Sequence, residues 1–386
     1  MSYSTNLNIG MSLYLAYGFP DATTEKKPKV LVRYFLVMTK NSNINAQTEL
    51  VYTKALDWTD SVFDYYIDRA EKEIDQVLTQ APWLLERIQK SSVCIVGGSG
   101  RHAFAAINAG FRAVKYIDIT PANIARARLR AEQQKIANLS IVHGDIMYHD
   151  SDLECFDLVI MNGVLQHLQD PISGLRLICD LARENGIIYF DCYSAGSLYM
   201  LLLEWLRTFY RFEDFDNTIK LIDDLGLDLI DLNFTSATFS QRVCDDLFVP
   251  YINYYVEDEI AQGLLQGKFR ILKRDFTPNI DHCLPRYDSC QFLIQREKGS
   301  TSSLITFTAT SNFSLNYSNF PYISNTLEVL RNSTNKISSD AEKRDRLLVG
   351  LILRYHDWTD SKLSLIHISE PTRLLSISYA GFCVKK

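Results

Sequence analysis

The 386-residue sequence has no long run of lysine and arginine, no uninterrupted apolar stretch of membrane-spanning length and no closely spaced cysteine pair. Each absence excludes a class of protein. Lys and Arg total 40 against 46 Asp and Glu, a formal charge of −6, so a surface that tracks the phosphates of a nucleic acid is not expected. The most apolar long stretch, residues 197–212, is broken by Glu204, Arg207 and Arg211. A bilayer span needs about 20 predominantly apolar residues, so this stretch reads as a helix of a water-soluble protein. The N-terminus lacks the basic-then-apolar layout of a secretory signal. The eight cysteines form no CxxC motif and no Cys/His cluster at zinc spacing, and several lie in apolar patterns where cysteine acts as a small hydrophobe. The expectation is a reduced, cytoplasmic protein with no metal site and no membrane span.

What the chain does have is alternation. Apolar residues make up 47% of it, enough for one large core with additions or for two modest ones. Apolar residues at helical spacing over 61–79, then Pro82 opening a second helix, predict two helices ahead of the first strand. Strand and helix patterns then alternate: strands at 92–96, 114–118, 139–143, 156–161 and 187–191, helices at 101–108, 121–134 and 173–183. Thr120-Pro121 and Asp170-Pro171 each read as a cap followed by proline in the first turn, and Gly110 is placed to end a helix. This order requires parallel strands joined by right-handed crossovers. The predicted fold is α/β, a doubly wound, Rossmann-like seven-stranded sheet with N-terminal helices and a helical lid insertion.

The domain reading follows. Residues 1–89 form an N-terminal extension, 90–298 the main domain with an aromatic-rich helical insertion at 197–255, and 299–362 a C-terminal extension with a helix at 341–354. Strands at 269–273 and 290–295 and a helix at 256–266 complete the main domain. The pentapeptide DWTDS occurs at 57–61 and again at 357–361, a match too short to define a repeat. Residues 363–386, beginning LSLIHISEPTR, resemble a translated sequencing-library adapter and are read as a non-native tail.

The segment VCIVGGSGRHAF, residues 93–104, puts a glycine-rich turn between a strand and a helix. Such a turn lets a nucleotide-like ligand approach the backbone and the helix N-terminus. Gly98-Ser99-Gly100-Arg101-His102-Ala103 satisfies the dinucleotide fingerprint GxGxx(G/A), which alone is weak evidence. Its context is stronger, because Asp118 ends the next strand 18 residues later, where it can accept from the hydroxyls of a ribose. The plainer reading makes Asp118 a helix cap, although Thr120 is available for that task. His143-Gly144-Asp145-Ile146 follows the third strand. FDLVIMNGVLQHL, residues 156–168, runs from the fourth strand into a turn facing the same cleft.

Taken in order, these four segments resemble the class I S-adenosylmethionine-dependent methyltransferases of the broad methyltransferase-domain group. The resemblance is strong over residues 90–191 and extends to 298 by pattern. It implies S-adenosyl-L-methionine as cofactor, with Gly97, Gly98 and Gly100 at the motif turn, Asp118 on the ribose and Ile119 beside the adenine. Asp145 and Ile146 match the adenine-edge pair, and Asn162 lies where the backbone lines the methionine part. Two positions depart from the pattern: Cys94 stands where an acid is usual, and Val96 where the first glycine is usual. The departures question how the cofactor ammonium is held.

For the chemistry, His167 and Tyr193 are the candidate catalytic groups, with Asp191 facing the same crevice. His167 also reads as a residue that shapes the pocket, and His102 as a support for the loop. The expected activity is in-line methyl transfer to a small-molecule acceptor, which a general base would assist by about 10²–10⁴-fold. A nicotinamide-dependent oxidoreductase also satisfies the fingerprint but leaves the HGDI and FDLVIMNGVLQHL segments without a task. A non-catalytic cofactor-binding protein is the third reading.

Overall fold

The computed structural model describes residues 47–54, 60–148, 155–195, 207, 210, 212–224, 246–276 and 289–310. Helix α1, Asp60–Gln80, buries Phe63, Tyr66, Ile67, Ala70, Ile74, Val77 and Leu78. Their three- and four-residue spacing forms one apolar stripe on the helix. A short helix α2, Pro82–Glu86, leads into β1, Ser92–Val96. Then come α3 (Arg101–Ala109), β2 (Ala113–Asp118), α4 (Pro121–Gln133), β3 (Leu139–His143) and β4 (Phe156–Met161). Helix α5 (Pro171–Leu181), β5 (Ala182–Tyr193) and α6 (Phe215–Asp224) follow. The remaining elements are β6 (Tyr254–Tyr255), α7 (Glu257–Gln266), β7 (Phe269–Phe276), β8 (Ser289–Arg296) and β9 (Ala309–Thr310).

Seven strands form one sheet in the order β3-β2-β1-β4-β5-β8-β7, and β6 pairs with β9 in a separate two-stranded sheet. Strands β1 to β5 are mutually parallel. Strand β8 runs antiparallel to both β5 and β7. The central strands are buried on both faces; every residue of β4 is buried. One face carries α1, α3 and α4 through Phe63, Ile74, Phe104 and Ile124. The other carries α5 and α7 through Leu175, Ile178, Ile260 and Leu264, with Ile305 and Phe307 in the same core. Among the described residues no helix is long and apolar enough to cross a membrane.

The doubly wound expectation therefore holds, with differences at the joints. Helix α5 ends at Leu181, and β5 begins at Ala182 instead of 187. Ala182 pairs with Phe156 and Ile187 with Leu158, so the register shifts between these pairs. Asn185, inside this irregular stretch, has φ 65°. Apolar periodicity carries no information about such a bulge. Asp170 caps α5 as expected, its carboxylate accepting from Ser173 N at 3.0 Å. Thr120 occupies the N-cap position of α4 but makes no side-chain cap bond. The 1–46 extension, the 341–354 helix, both DWTDS segments in large part, the 363–386 tail and most of the 197–255 insertion lie outside the described residues.

Candidate active site

Because β1, β2, β4 and β5 are parallel, their carboxyl ends lie along one edge of the sheet, and the order reverses between β1 and β4. That switch point is where open α/β sheets form a crevice. At the end of β1 the chain passes through Gly97, Gly98, Ser99 and Gly100 with φ of 67°, 70°, 61° and 86°. At all three glycines a side chain would also be crowded; a Cβ on Gly97 would overlap Val164 Cγ2. A Cβ on Gly98 would sit 3.0 Å from the Asn162 carbonyl oxygen, and one on Gly100 would sit 3.2 Å from the Tyr116 ring. The turn thus closes tightly on its neighbours and feeds directly into the N-terminus of α3. A cradle that side chains would fill fits a ligand that approaches backbone, as the adenosylmethionine reading requires.

Asp118 is buried at the end of β2. Its carboxylate accepts from Tyr116 Oη at 2.7 Å, Thr120 N at 2.6 Å and Asn123 Nδ2 at 3.3 Å. Burial raises its pKa, while these three donors pull in the other direction. Burial and the charge of Asp118 push the Tyr116 hydroxyl well above its ordinary value. The carboxylate therefore takes the capping task that the sequence assigns to Thr120: it accepts from the backbone at the start of α4. A carboxylate offers about four lone-pair sites, so capping and ribose binding are compatible on one side chain.

Ile119 is half-buried, and its carbonyl oxygen lies 3.0 Å from His143 Nε2. Asp145 accepts from Met147 N at 2.9 Å, which sets the turn after β3, and Ile146 is buried in the core on the α5 side. Asn162, buried at the end of β4, accepts from Arg101 Nη2 at 2.5 Å. Arg101 Nη1 also donates to the Gly98 carbonyl at 3.2 Å, so one guanidinium ties the motif turn to the β4 end. Next along, Gly163 N donates to Asp191 Oδ1 at 2.6 Å. Burial pushes the Asp191 carboxyl up to about 6. The Gly163 bond and the Arg101 charge act against this, and the Glu73 charge adds to it. His102 is buried, with Nε2 2.8 Å from Glu73 Oε2; burial pushes this imidazole below its ordinary value, with the Glu73 bond and charge acting against it. Burial alone would raise Glu73, but His102, Arg101 and Arg69 together bring it down to about 2.

A second cluster forms around His167, in the turn Leu165–His167 that follows β4. The His167 ring packs edge-on to Tyr193 at 5.8 Å and to Tyr52 at 5.7 Å between centroids. Its Nδ1 lies 3.1 Å from the Tyr251 carbonyl oxygen. A carbonyl only accepts, so Nδ1 carries the proton and Nε2 the lone pair. Burial lowers the His167 pKa to about 4, with Arg207 adding to the effect. Tyr193 Oη donates to Asp246 Oδ1 at 2.9 Å, and Arg207 donates to the carbonyls of Asp246, Leu247 and Val249. The fold thus brings the two candidate catalytic residues together. Tyr251 and Asp246 belong to the aromatic-rich insertion expected at 197–255, and Arg101 to the glycine motif. Glu73 and Tyr52 carry no local signal in the sequence.

Residues 95–208 match the family model described as "Methyltransferase domain". The chain carries a class I methyltransferase domain. Its chemistry is S-adenosyl-L-methionine-dependent methyl transfer. Over 207 residues the chain is 27% identical to a ubiquinone biosynthesis O-methyltransferase of Cereibacter sphaeroides, covering 49% of this chain and 81% of that one. Among solved structures it is similar to magnesium protoporphyrin IX methyltransferase from Synechocystis PCC 6803 with bound SAH (16% identity, 70% of this chain, 100% of that chain, TM-score 0.38). It is also similar to an N-methyltransferase from Bradyrhizobium japonicum (15% identity, 58% and 96% covered, TM-score 0.31). The sheet separates the methyltransferase domain from the dinucleotide-binding alternative. That fold runs 3-2-1-4-5-6 with parallel strands, whereas here the antiparallel β8 lies between β5 and β7.

Proposed function

We propose that this methyltransferase acts on a small, planar acceptor bearing a hydroxyl, with His167 as general base. One observation carries the reading: His167 holds its Nδ1 proton on the Tyr251 carbonyl, leaving Nε2 as the acceptor of a ring packed edge-on to Tyr52 and Tyr193. S-adenosyl-L-methionine, when bound, supplies a methyl group already activated by its sulfonium. The chain's own tasks are to hold, align and deprotonate. Gly97, Gly98 and Gly100 present backbone to the cofactor, and Asp118 is assigned the ribose. Ile119, Asp145 and Ile146 are assigned the adenine, and Asn162 the methionine part.

On the acceptor side, the aromatic edges favour a flat molecule, and Tyr193, anchored on Asp246, positions it. Alignment of this kind supplies about 7–11 kcal/mol of barrier reduction. A base with a pKa of about 4 stays unprotonated at neutral pH, so Nε2 is available to receive the acceptor's hydroxyl proton. The acceptor class of the Cereibacter relative, named for ubiquinone biosynthesis, agrees with this reading. The domain is taken as 90–298, preceded by the helices of 60–86 and followed by a packed segment to 310. A cytoplasmic location is part of the proposal. It rests on the eight scattered cysteines, which form no CxxC motif and lie in part in apolar patterns.

The test is transfer of labelled methyl from S-adenosylmethionine to a panel of small phenols, amines and carboxylates, with RNA and protein as comparison acceptors. Methyl ethers formed from phenols support the reading. Transfer confined to RNA or protein, or to amines alone, would sink it.

A further inference from the structure

In this domain the acid usual on β1 is replaced by Cys94. Cys94 is fully buried and belongs to the apolar core shared by Val159, Met161 and Phe190. No carboxylate can therefore come from that position to meet a cofactor ammonium. Two strands away the chain offers one. Asp191 lies two residues before the end of β5 with 8% of its surface exposed, and its carboxylate accepts from Gly163 N. Besides its own backbone, Gly163 is its one hydrogen-bond partner among the described residues. A buried carboxylate with spare acceptor sites is costly to keep unless a cation or donors satisfy it. The second charged group here is Arg101, in the first turn of α3, bonded to Gly98 O and Asn162 Oδ1. Arg101 is close enough to Asp191 to stabilise its charge. A cation at a helix N-terminus opposes the helix dipole, and together the two make that end a strong site for an anion.

An amino acid is a zwitterion, and the crevice supplies one charge of each sign. Resting on the adenosylmethionine reading, we propose that Asp191 and Arg101 jointly recognise the amino-acid end of the cofactor. Asp191 takes the ammonium in place of the missing β1 acid, and Arg101 takes the carboxylate. The links Gly98–Arg101–Asn162 and Gly163–Asp191 fix both groups to the ends of β1, β4 and β5. Losing the acid on β1 is thereby compensated from β5. The two residues are binding groups and touch no reacting bond.

Calorimetry on the full chain tests this with four ligands: S-adenosylhomocysteine, its analogue lacking the ammonium, its analogue lacking the carboxylate, and methylthioadenosine, which lacks both. Charge-assisted hydrogen bonds of this kind correspond to about ten- to a hundredfold in affinity. Asp191→Asn should lose that factor for S-adenosylhomocysteine and for the carboxylate-lacking analogue. It should bind the ammonium-lacking analogue and methylthioadenosine as the wild type does. Arg101→Met should give the mirror pattern. Equal losses for all four ligands, or none for any, would overturn the proposal. Should Asp191→Asn fail to fold, Arg101→Met decides through the carboxylate-lacking analogue. Failure of the wild type to bind any of the four would refute the underlying cofactor reading as well, and is distinct from a variant that binds all four unchanged.

Discussion

On the cofactor side of the cleft, several contacts join residues close in sequence: Tyr116 and Thr120 to Asp118, Arg101 to Gly98, Met147 to Asp145. On the acceptor side the partners are far apart. Gln47 reaches the Phe248 carbonyl, His167 the Tyr251 carbonyl and Tyr193 the Asp246 carboxylate, at separations of 201, 84 and 53 residues. A short-range arrangement is written into a turn and its flanks, so a motif can represent it. A long-range arrangement exists only after the sheet has formed and the loops have packed on it. The contrast suggests that changes on the cofactor side act on binding and local stability, and changes on the acceptor side act on turnover.

The largest expected effect tests the acceptor side. His167→Ala should lower kcat by about 10²–10⁴-fold, the usual contribution of a positioned base, with the dissociation constant for S-adenosylhomocysteine unchanged. Because burial holds His167 near 4, the acid limb of the wild-type rate profile should lie near that value, below the ordinary histidine range. Rate profiles from well below that value up to neutral pH check this; a limb near 6.5, the ordinary value, would mean the imidazole acts elsewhere or not at all.

Next in size is Asp118→Ala. Loss of charge-assisted bonds should weaken cofactor binding about ten- to a hundredfold. The same change strands the Tyr116 hydroxyl in the interior, so stability should fall by about 1–3 kcal/mol. A variant that loses stability but keeps its affinity would leave Asp118 as a cap alone.

That dual role marks how far the sequence could be read. The succession of strands and helices through β5, the glycine turn and the acid ending β2 follow from periodicity and spacing. The capping atom does not, because Thr120 and Asp118 are both plausible acceptors and only their geometry chooses. Nor does the bulge entering β5, since apolar alternation is blind to one unpaired stretch. Asp191 was visible as a residue facing the crevice. Its link to Gly163 depends on where the β4 turn lands beside β5. Tyr52 has no local signal, and Tyr251 is legible only as one aromatic of the expected insertion, because each acquires its meaning from a ring that lies more than 80 residues away in sequence.

A smaller effect concerns the polar layer beneath the turn. Glu73 is held near 2 against an ordinary 4.5, so the folded state binds fewer protons than the unfolded one between these values. Its contribution is present above about 4.5 and is lost as the pH falls toward 2. Glu73→Gln should flatten the stability curve in that window and cost on the order of 1–3 kcal/mol at neutral pH. Melting curves across the acid range check it, and an unaltered acid slope would remove Glu73 from the account. The smallest effect belongs to Lys54, which bridges to the exposed Asp216 at 2.8 Å. Lys54→Ala should change stability by less than about 1 kcal/mol and leave turnover untouched. A large loss of turnover would show that segment 47–54 needs this bridge to hold Tyr52 against His167.

The central claim is the identity of the cofactor, and calorimetric titration of the purified full chain with S-adenosylhomocysteine and with NAD tests it most directly. The account predicts saturable binding of S-adenosylhomocysteine, abolished or strongly weakened by Asp118→Ala, and no heat from NAD. Binding of NAD with none of S-adenosylhomocysteine would contradict it.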